Sequence, residues 1–402
     1  MALLPVDEAM ARMLSGVERL ETERVPLLEA GGRVLAAPLT ALRTQPPFDA
    51  SAMDGYAVRA ADVAKIPAQL TVIGESAAGR RFSGIVGTGE AVRIFTGAPV
   101  PEGTDTILVQ ENAEVFPDGR RINARASVGA GRHIRRAGLD FTEGDPLLDE
   151  GCLLDAATIS LAAAANHATL PVVRRPRIAI LATGDELVLP GNEPGPDQIV
   201  ASNSYGIATM AQADGARVYD LGIVPDDQEA ITEAIRHALE IQVDVIATLG
   251  GASVGARDLV HGALLEAGME LDFWKIAMRP GKPLMVGKFG RTRVLGLPGN
   301  PVSSLVCAHL FLRPLIARLA GRSFEPAVRD AVLAVAIREN DERRDYMRAR
   351  IEAGPTGPVA TPFERQDSSM LTTLATANAL IIREPFAPAA TAGSPCRVLM
   401  LR

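Results

Sequence analysis

The chain has 402 residues, of which 47% are hydrophobic and 4% aromatic, and its formal net charge is -7. This length and hydrophobic content predict several domains, each with a core of its own. The acidic balance excludes general affinity for nucleic acid, because such affinity needs a broad basic surface. Any anionic ligand must therefore meet a locally positive site.

No segment predicts export or membrane insertion. The opening stretch carries Asp7 and Glu8 where a signal peptide would be basic, and the longest apolar stretch, 153–165, is short and interrupted by Asp155. The cysteines are odd in number, far apart and in no CxxC pair, which indicates neither a disulfide framework nor a zinc site: Cys152, Cys307 and Cys396. We expect a cytoplasmic protein.

The first 175 residues predict a β-rich module set between two helices. An amphipathic helix is expected over 7–20, and another over 155–165 with Asp155 as its N-cap. The stretch between them is rich in Gly and short β runs, which indicates a compact β module over 46–145. Because the module separates the two helices in sequence, we expect them to pair as one discontinuous helical segment.

From residue 176 to 326, short β-branched runs alternate with segments of helical period, which is typical of a parallel sheet covered by helices. Strands are predicted over 177–183, 216–223, 243–250, 271–278 and 292–298, and helices over 203–214, 227–240, 258–268 and 302–319. The first of these helices has Ser202 or Asn203 as its N-cap. A hairpin that turns at Gly290 predicts one antiparallel edge, and the short alternating runs of 327–402 predict a small β domain.

Ligands of an open α/β sheet bind beyond the carboxyl ends of its strands. Five turns rich in Gly or Pro lie there, at 183–186, 224–227, 250–258, 279–283 and 297–304. Together they hold carboxylates, hydroxyls and cations, which is the set that a magnesium-assisted site for a phosphate-bearing substrate needs. The last turn joins a strand to a helix and is suited to bring backbone and helix N-terminus against an anion.

Each of these turns also has a purely structural interpretation. The acidic residues are equally suited to capping helices: Asp185, Glu186, Asp226, Asp227 and Asp258. The basic residues are also typical of a solvated edge, although their position beside the Gly-Pro turn favours anion binding: Lys275, Arg279 and Lys282. In the β module, the stretches around Asp54, Thr96 and Asp140 are turns or ligand loops. The histidines show no metal-ligand spacing, and no serine has a GxSxG context.

Six motifs then occur in one order: PPFDASAMDGYAV (46–58), IFTGAPVPEGTDTILVQE (94–111), LATGDELVLPG (181–191), GGASVG (250–255) followed by Asp258, FWKIAMRPGKP (273–283) and LPGNPVSS (297–304). In this order they resemble the MoeA family of molybdopterin molybdenumtransferases, to which the E domain of gephyrin is similar. The likeness spans nearly the whole chain.

The resemblance implies an α/β multidomain fold that assembles as a homodimer. Its parts would be a discontinuous helical linker segment (1–45 and 146–175), a β module (46–145), a doubly wound molybdopterin-binding α/β domain (176–326) and a C-terminal β-barrel (327–402). The reaction it implies is insertion of molybdate into adenylylated molybdopterin, with release of AMP and with Mg²⁺ as cofactor.

The resemblance also assigns residues. The catalytic ones would be Asp54, Thr96, Asp140, Glu186 and Asp258, the first three facing the partner subunit's α/β domain. Glu186, Asp226 and Asp258 would hold the metal, although either Asp226 or Asp227 fits that position. Substrate would be bound by Gly250, Gly251, Ser253, Lys275, Arg279, Pro298, Gly299, Asn300, Pro301 and Ser303. Arg279 departs from the family, which often has Lys there, and Arg is a planar fork rather than a compact ammonium.

Two other functions remain open. Molybdopterin adenylyltransferases share the α/β domain but lack the β module, and a gephyrin-like scaffold would use the same fold to cluster a partner. Other expected partners are the adenylyltransferase and the enzymes that accept the finished cofactor, with neither nucleic acid nor membrane among them.

Overall fold

The computed structural model describes residues 3–250, 259–355 and 357–402. The chain divides into two compact units, which we treat separately. One, the α/β unit, comprises Met1–Glu23, Gly32–Val34 and Val172–Arg402; the other, the β-module unit, comprises Arg24–Gly31 and Leu35–Pro171.

The β-module unit is built mainly of short strands. The chain first forms α1 (Val6–Leu14) and β1 (Thr22–Pro26), and the module follows with β2 (Leu39–Thr40), β3 (Ala50–Ser51), β4 (Gly55–Val58), β5 (Ala68–Ser76), β6 (Glu90–Ile94), β7 (Thr106–Val109), β8 (Ala113–Val115), β9 (Arg121–Ala124), β10 (Ile134–Arg135), β11 (Pro146–Leu148), α2 (Ala156–Ala164) and β12 (Thr169–Val173). Six of these strands form a sheet in the order β7-β4-β6-β5-β9-β8. Asp155 caps α2 through the Thr158 N–H, as the sequence predicts.

The α/β unit contains the predicted parallel sheet. Its elements are β13 (Arg177–Thr183), β14 (Leu187–Val188), β15 (Ile199–Val200), α3 (Asn203–Ala213), β16 (Arg217–Val224), α4 (Gln228–Glu240), β17 (Val245–Leu249), α5 (Leu259–Glu266), β18 (Glu270–Trp274), β19 (Met278–Arg279), β20 (Met285–Phe289), β21 (Thr292–Leu297), α6 (Pro301–Cys307), a π-helical turn (Ala308–Leu312) and α7 (Arg313–Leu319). The sheet order is β16-β13-β17-β21-β20-β18. The first four strands are mutually parallel. β20 pairs antiparallel with β21 on one side and with the edge strand β18 on the other, so the predicted antiparallel edge is confirmed.

The apolar spacing of the helices explains how they cover the sheet. In α4 the residues Ile231, Ile235 and Ala238 are fully buried, which is the i, i+4, i+7 stripe of an amphipathic helix. The run Pro301–Leu319 is long and apolar enough to cross a membrane, but 78% of it is buried inside the unit, as in a core helix.

Helix α1 ends at Leu14, well before residue 20, where the sequence predicts its end. Its buried residues Val6, Ala9 and Met13 join the core beneath the parallel sheet. By its contacts α1 belongs to the α/β unit and α2 to the β-module unit. An amphipathic pattern shows that a helix has a buried face but not which surface covers it.

The C-terminal part of the α/β unit is a closed barrel. It consists of β22 (Val328–Leu333), β23 (Arg344–Gly354), β24 (Gly357–Pro362), α8 (Leu371–Thr376), β25 (Ala379–Arg383) and β26 (Pro395–Met400). Pairing runs β23-β24-β22-β26-β25 and returns from β25 to β23, so five strands close on themselves. The predicted C-terminal β-barrel is therefore confirmed.

The predicted strand 271–278 is divided in the structure. β18 ends at Trp274, Lys275 adopts a positive φ of 74°, and Met278 and Arg279 form β19, which pairs with β23 of the barrel. The chain therefore leaves the α/β sheet at Lys275.

Candidate active site

The register of the parallel sheet brings the predicted turns together. Ala182 of β13 lies opposite Leu249 of β17, and Leu249 lies opposite Leu297 of β21. Because the three strands are parallel, the residues that follow them emerge side by side at one edge of the sheet.

A cavity of about 950 Å³ opens at this edge. Such a volume is suited to a ligand of nucleotide size. Its walls include nine of the residues that the sequence assigns to the site: Glu186, Asp226, Gly250, Lys275, Pro298, Gly299, Asn300, Pro301 and Ser303. The turns therefore share a single cleft.

Glycine is required at position 250, where three of these turns meet. Gly250 has a φ of +100°, and a Cβ at this position would lie 2.9 Å from the carbonyl oxygen of Thr183. A Cβ on Gly299 would lie 3.7 Å from the Cα of Gly250. The turns that contain Thr183 and Gly299 thus both lie close to the backbone of Gly250, and any side chain at Gly250 would be strained.

Among the described residues, the charged side chains of the cavity wall belong to two lysines and two carboxylates: Lys275, Lys282, Glu186 and Asp226. Lys275 holds a backbone conformation that is unfavourable for a residue with a Cβ, and its Nζ lies 5.3 Å from the centre of the Trp274 ring. Strain of this kind persists where the surrounding structure requires it, commonly at functional sites. The balance of charges suits an anion bound together with a cation.

The structure distinguishes between Asp226 and Asp227. Asp227 is the N-cap of α4, and its Oδ1 accepts a hydrogen bond from the Ala230 N–H at 2.9 Å. Asp226 lines the cavity, and its own N–H donates to Asp185 Oδ1 at 3.1 Å. The capping interpretation therefore fits Asp227, and the ligand interpretation fits Asp226.

In the β-module unit, Asp54 and Thr96 are brought into direct contact. Asp54 Oδ1 accepts hydrogen bonds from the Thr96 N–H and from Thr96 Oγ1, both at 2.8 Å. These bonds, with the charge of Arg93, hold the pKa of Asp54 below its usual value, because they favour the carboxylate. Asp54 is therefore anionic at neutral pH.

Asp140 lies in the same unit, in a pocket whose lining includes neither Asp54 nor Thr96. It is exposed and, with Gly97, Arg135 and Leu139, it lines a pocket of about 360 Å³. Gly97 directly follows Thr96. The loop of residues 96 and 97 thus contacts Asp54 through Thr96 and borders the Asp140 pocket through Gly97.

Comparison with known proteins covers nearly the whole chain. The MoeA N-terminal region (domain I and II) matches residues 4–166, a probable molybdopterin binding domain matches residues 179–318, and the MoeA C-terminal region (domain IV) matches residues 330–401. A molybdopterin molybdenumtransferase of Haemophilus influenzae is 34% identical over 95% of each chain. The chain belongs to the MoeA family.

Other relatives agree with this assignment. The molybdopterin molybdenumtransferase of Bacillus subtilis is 32% identical over 99% of this MoeA chain and 94% of its own length. The crystal structure of a molybdopterin biosynthesis MoeA protein from Pyrococcus horikoshii is 29% identical, covers 100% of both chains and superposes with a TM-score of 0.83.

Arg279 of this MoeA chain is not among the residues that line the cavity. Its guanidinium donates to Asp345 Oδ2 at 3.1 and 2.6 Å, to Asp341 Oδ2 at 3.0 Å and to Asn340 Oδ1 at 3.1 Å, all within the barrel. The hydrogen bond to Asp345 and the charges of Asp345 and Asp341 raise the pKa of Arg279 above its usual value. The prediction that Arg279 binds the oxyanion rests on a sequence in which Lys275, Arg279 and Lys282 are close. In the structure Lys275 and Lys282 line the cavity, whereas Arg279 lies in β19 and pairs with residues of the barrel.

Three predicted residues, Gly251, Ser253 and Asp258, lie outside the described residues. Conversely, the cavity wall includes residues that the sequence does not assign to the site: Thr183, Ser202, Asn203, Ser369 and Leu371. The wall also includes Lys282, whose position beside the Gly-Pro turn favours anion binding in the sequence. No sequence pattern indicates Ser369 and Leu371, because they come from the barrel, about 70 residues after the last predicted turn.

Proposed function

We propose that this chain is a molybdopterin molybdenumtransferase that inserts molybdate into adenylylated molybdopterin and releases AMP. The observation that supports it is the convergence of five separate turns on one cavity with two lysines and two carboxylates among its described lining residues. The substrates are two anions that must be held close together, and no covalent nucleophile is needed, because the dithiolene of the pterin supplies the sulfur ligands. Catalysis then consists of positioning and charge stabilisation.

The residues of the cavity suit these tasks. Lys275 and Lys282 supply positive charge for molybdate and for the phosphoanhydride. The turn Pro298–Asn300 presents backbone to the oxyanion, and Ser303, which is 5% exposed, offers a hydroxyl at the start of α6. Charge developing on the departing AMP phosphate would be stabilised by the same lysines.

Magnesium fits the donor set of the cavity, and we propose it as the cofactor. Within the described residues no three His, Cys, Asp or Glu side chains form a metal cluster by themselves. Mg²⁺, however, commonly takes only one or two carboxylates and completes its shell with water and substrate phosphates. Glu186 and Asp226 supply two such carboxylates. Bound there, the ion would neutralise phosphate charge.

For Asp54 we propose the role of a fixed carboxylate that accepts a proton or orients a water molecule during phosphoanhydride cleavage. Its bonds to Thr96 restrict its rotation and keep it ionised. We further propose a cytoplasmic homodimer, in which Asp54, Thr96 and Asp140 of one subunit act on substrate held by the partner subunit.

The decisive assay is release of AMP from adenylylated molybdopterin, with and without molybdate. We expect release that requires molybdate and increases with Mg²⁺, and D54A should abolish it. D118A is the matched control: Asp118 also accepts a backbone hydrogen bond, from Arg120, but it lies in the turn between β8 and β9. An adenylyltransferase would instead consume ATP and unmodified molybdopterin, and a pure scaffold would do neither.

Complementation tests the shared site. D54A and E186Q should each be inactive alone, and mixed dimers should recover part of the activity if the two residues act from different subunits. No recovery in mixed dimers of proven composition would refute the intersubunit arrangement while leaving the reaction itself unaffected.

A further inference from the structure

The turn of residues 298–300 is held from two sides by side chains of other elements. On one side Asn203 Nδ2, in the first turn of α3, donates to the Gly299 carbonyl oxygen at 2.7 Å. On the other side Asn300 Nδ2 donates to Ser368 Oγ at 2.9 Å, and the Val302 N–H donates to the Ser368 carbonyl oxygen at 3.0 Å. Asn203 is separated from Gly299 by 96 residues, so this contact depends on the fold.

The close approach of α3 to α6 makes the Asn203 contact possible. Gly206 lies one turn after Asn203, and a Cβ there would be only 2.8 Å from Leu305 Cδ2 of α6. The absence of a side chain at Gly206 lets the two helices pack closely at their amino-terminal ends. The amide of Asn203 thereby reaches the turn that precedes α6.

The contact fixes the orientation of a peptide group. The turn begins with Pro298 and is followed by Pro301, and neither proline has an N–H, so Gly299 and Asn300 supply the backbone donors of the turn. In a planar trans peptide the C=O and the following N–H point in opposite directions. With the Gly299 carbonyl held toward α3 by Asn203, the N–H of Asn300 must point away from α3.

We propose that Asn203 is a positioning residue: it holds the peptide between Gly299 and Asn300 so that the Asn300 N–H meets the tetrahedral oxyanion in the cavity. The idea rests on the proposed function, since it assigns a donor to one of its two oxyanions, molybdate or the phosphoryl group of adenylylated molybdopterin. A preorganised backbone donor is worth more than a mobile one, because no reorganisation is needed when the anion binds.

The test uses the full-length protein and measures KM separately for molybdate and for adenylylated molybdopterin. N203A removes the donor, and we expect the KM of one of the two substrates to rise about tenfold, the effect of one lost hydrogen bond of about 1.4 kcal/mol. N203D keeps the shape of the side chain and a residue suited to a helix start but cannot donate, and its charge opposes the anion, so its KM should rise further. The substrate whose KM rises is the one that the turn binds.

T209V is the matched control. Thr209 lies on the same helix and its exposed hydroxyl bonds only to the Tyr205 carbonyl oxygen among the contacts described, so its loss should leave both KM values unchanged. Equal KM values in N203A and the wild type, or a rise in both together with a lowered Tm, would overturn the positioning role. So would a crystal structure of N203A in which the turn keeps its geometry although a KM has risen, because Asn203 would then bind the anion itself. A wild-type protein without molybdate-dependent turnover would instead refute the proposed function.

Discussion

Replacing Arg279 distinguishes an anion ligand from an anchor of the barrel. The sequence predicts the first role, whereas the contacts of the guanidinium with Asp341, Asp345 and Asn340 favour the second. We therefore expect R279M to lower stability while leaving the KM for molybdate within about twofold of the wild type. R279K should be intermediate, since an ammonium cannot reach all three partners at once.

The magnitude follows from the exposure of the partners. The side chain of Asp345 is 12% exposed and that of Arg279 is 42% exposed. Hydrogen bonds to charged groups contribute about 1.5–3 kcal/mol each, and a carboxylate left without its partner costs a similar amount. Solvent screening at the half-exposed guanidinium reduces this to about 1–2 kcal/mol. For a large domain this lowers Tm by about 2–8 °C.

Thermal unfolding and steady-state kinetics of the same preparations check the prediction. R350M is the matched control, because Arg350 lies on the same barrel but its pair with Glu352 is exposed on both sides, at 63% and 70%. Its Tm should change little. The reasoning is refuted if R279M unfolds like the wild type and its KM for molybdate rises tenfold or more, since Arg279 would then act on the anion.

Three further predictions concern single side chains. D226N should lose most of the AMP release and D227N little, while D227A should lower the free energy of unfolding by about 1 kcal/mol through loss of the α4 cap. Burial lowers the pKa of His309 to about 4, so below pH 6.5 the unfolded chain binds a proton that the folded chain does not, and stability falls as the pH decreases. Between pH 7 and pH 5 the wild type should therefore lose about 2 kcal/mol more than H309N in denaturant titrations. T248V should leave the free energy of unfolding unchanged or raise it by up to about 1 kcal/mol, since the buried Thr248 hydroxyl has no hydrogen-bond partner in the described part of the chain; a lowered Tm would contradict this.

Local sequence patterns were sufficient to predict those elements whose structure depends on residues close together in sequence. The predicted strand 177–183 matches β13, and the hairpin at Gly290 joins β20 to β21 as expected. The Asp155 cap needs only residues within one helical turn. Hydrophobic periodicity, helix capping and turn formation each involve only a few consecutive residues, and they can therefore be predicted from the sequence.

The end of β18 shows where such reasoning fails. A continuous run, LDFWKIAM, predicts one strand, yet the chain turns at Lys275 and Arg279 pairs with the barrel. Nothing in the run distinguishes a strand that stays in one sheet from one that passes to another, because both bury the same apolar residues.

The sequence by itself determined the family, through six motifs that occur in one order. It also determined most of the order of strands and helices and the rim of the sheet at which the turns gather, since these depend on local pattern and on the rule for parallel strands. Only the tertiary structure decided which side chains reach the cavity: it assigned Asp226 to the wall and Asp227 to a helix cap, gave Arg279 to the barrel, and brought in Asn203, Ser369 and Leu371. The reason is that a side chain's neighbours across the fold are fixed by the packing of whole elements, and that packing depends on contacts between residues far apart in sequence, such as Asn203 and Gly299, which are 96 positions apart.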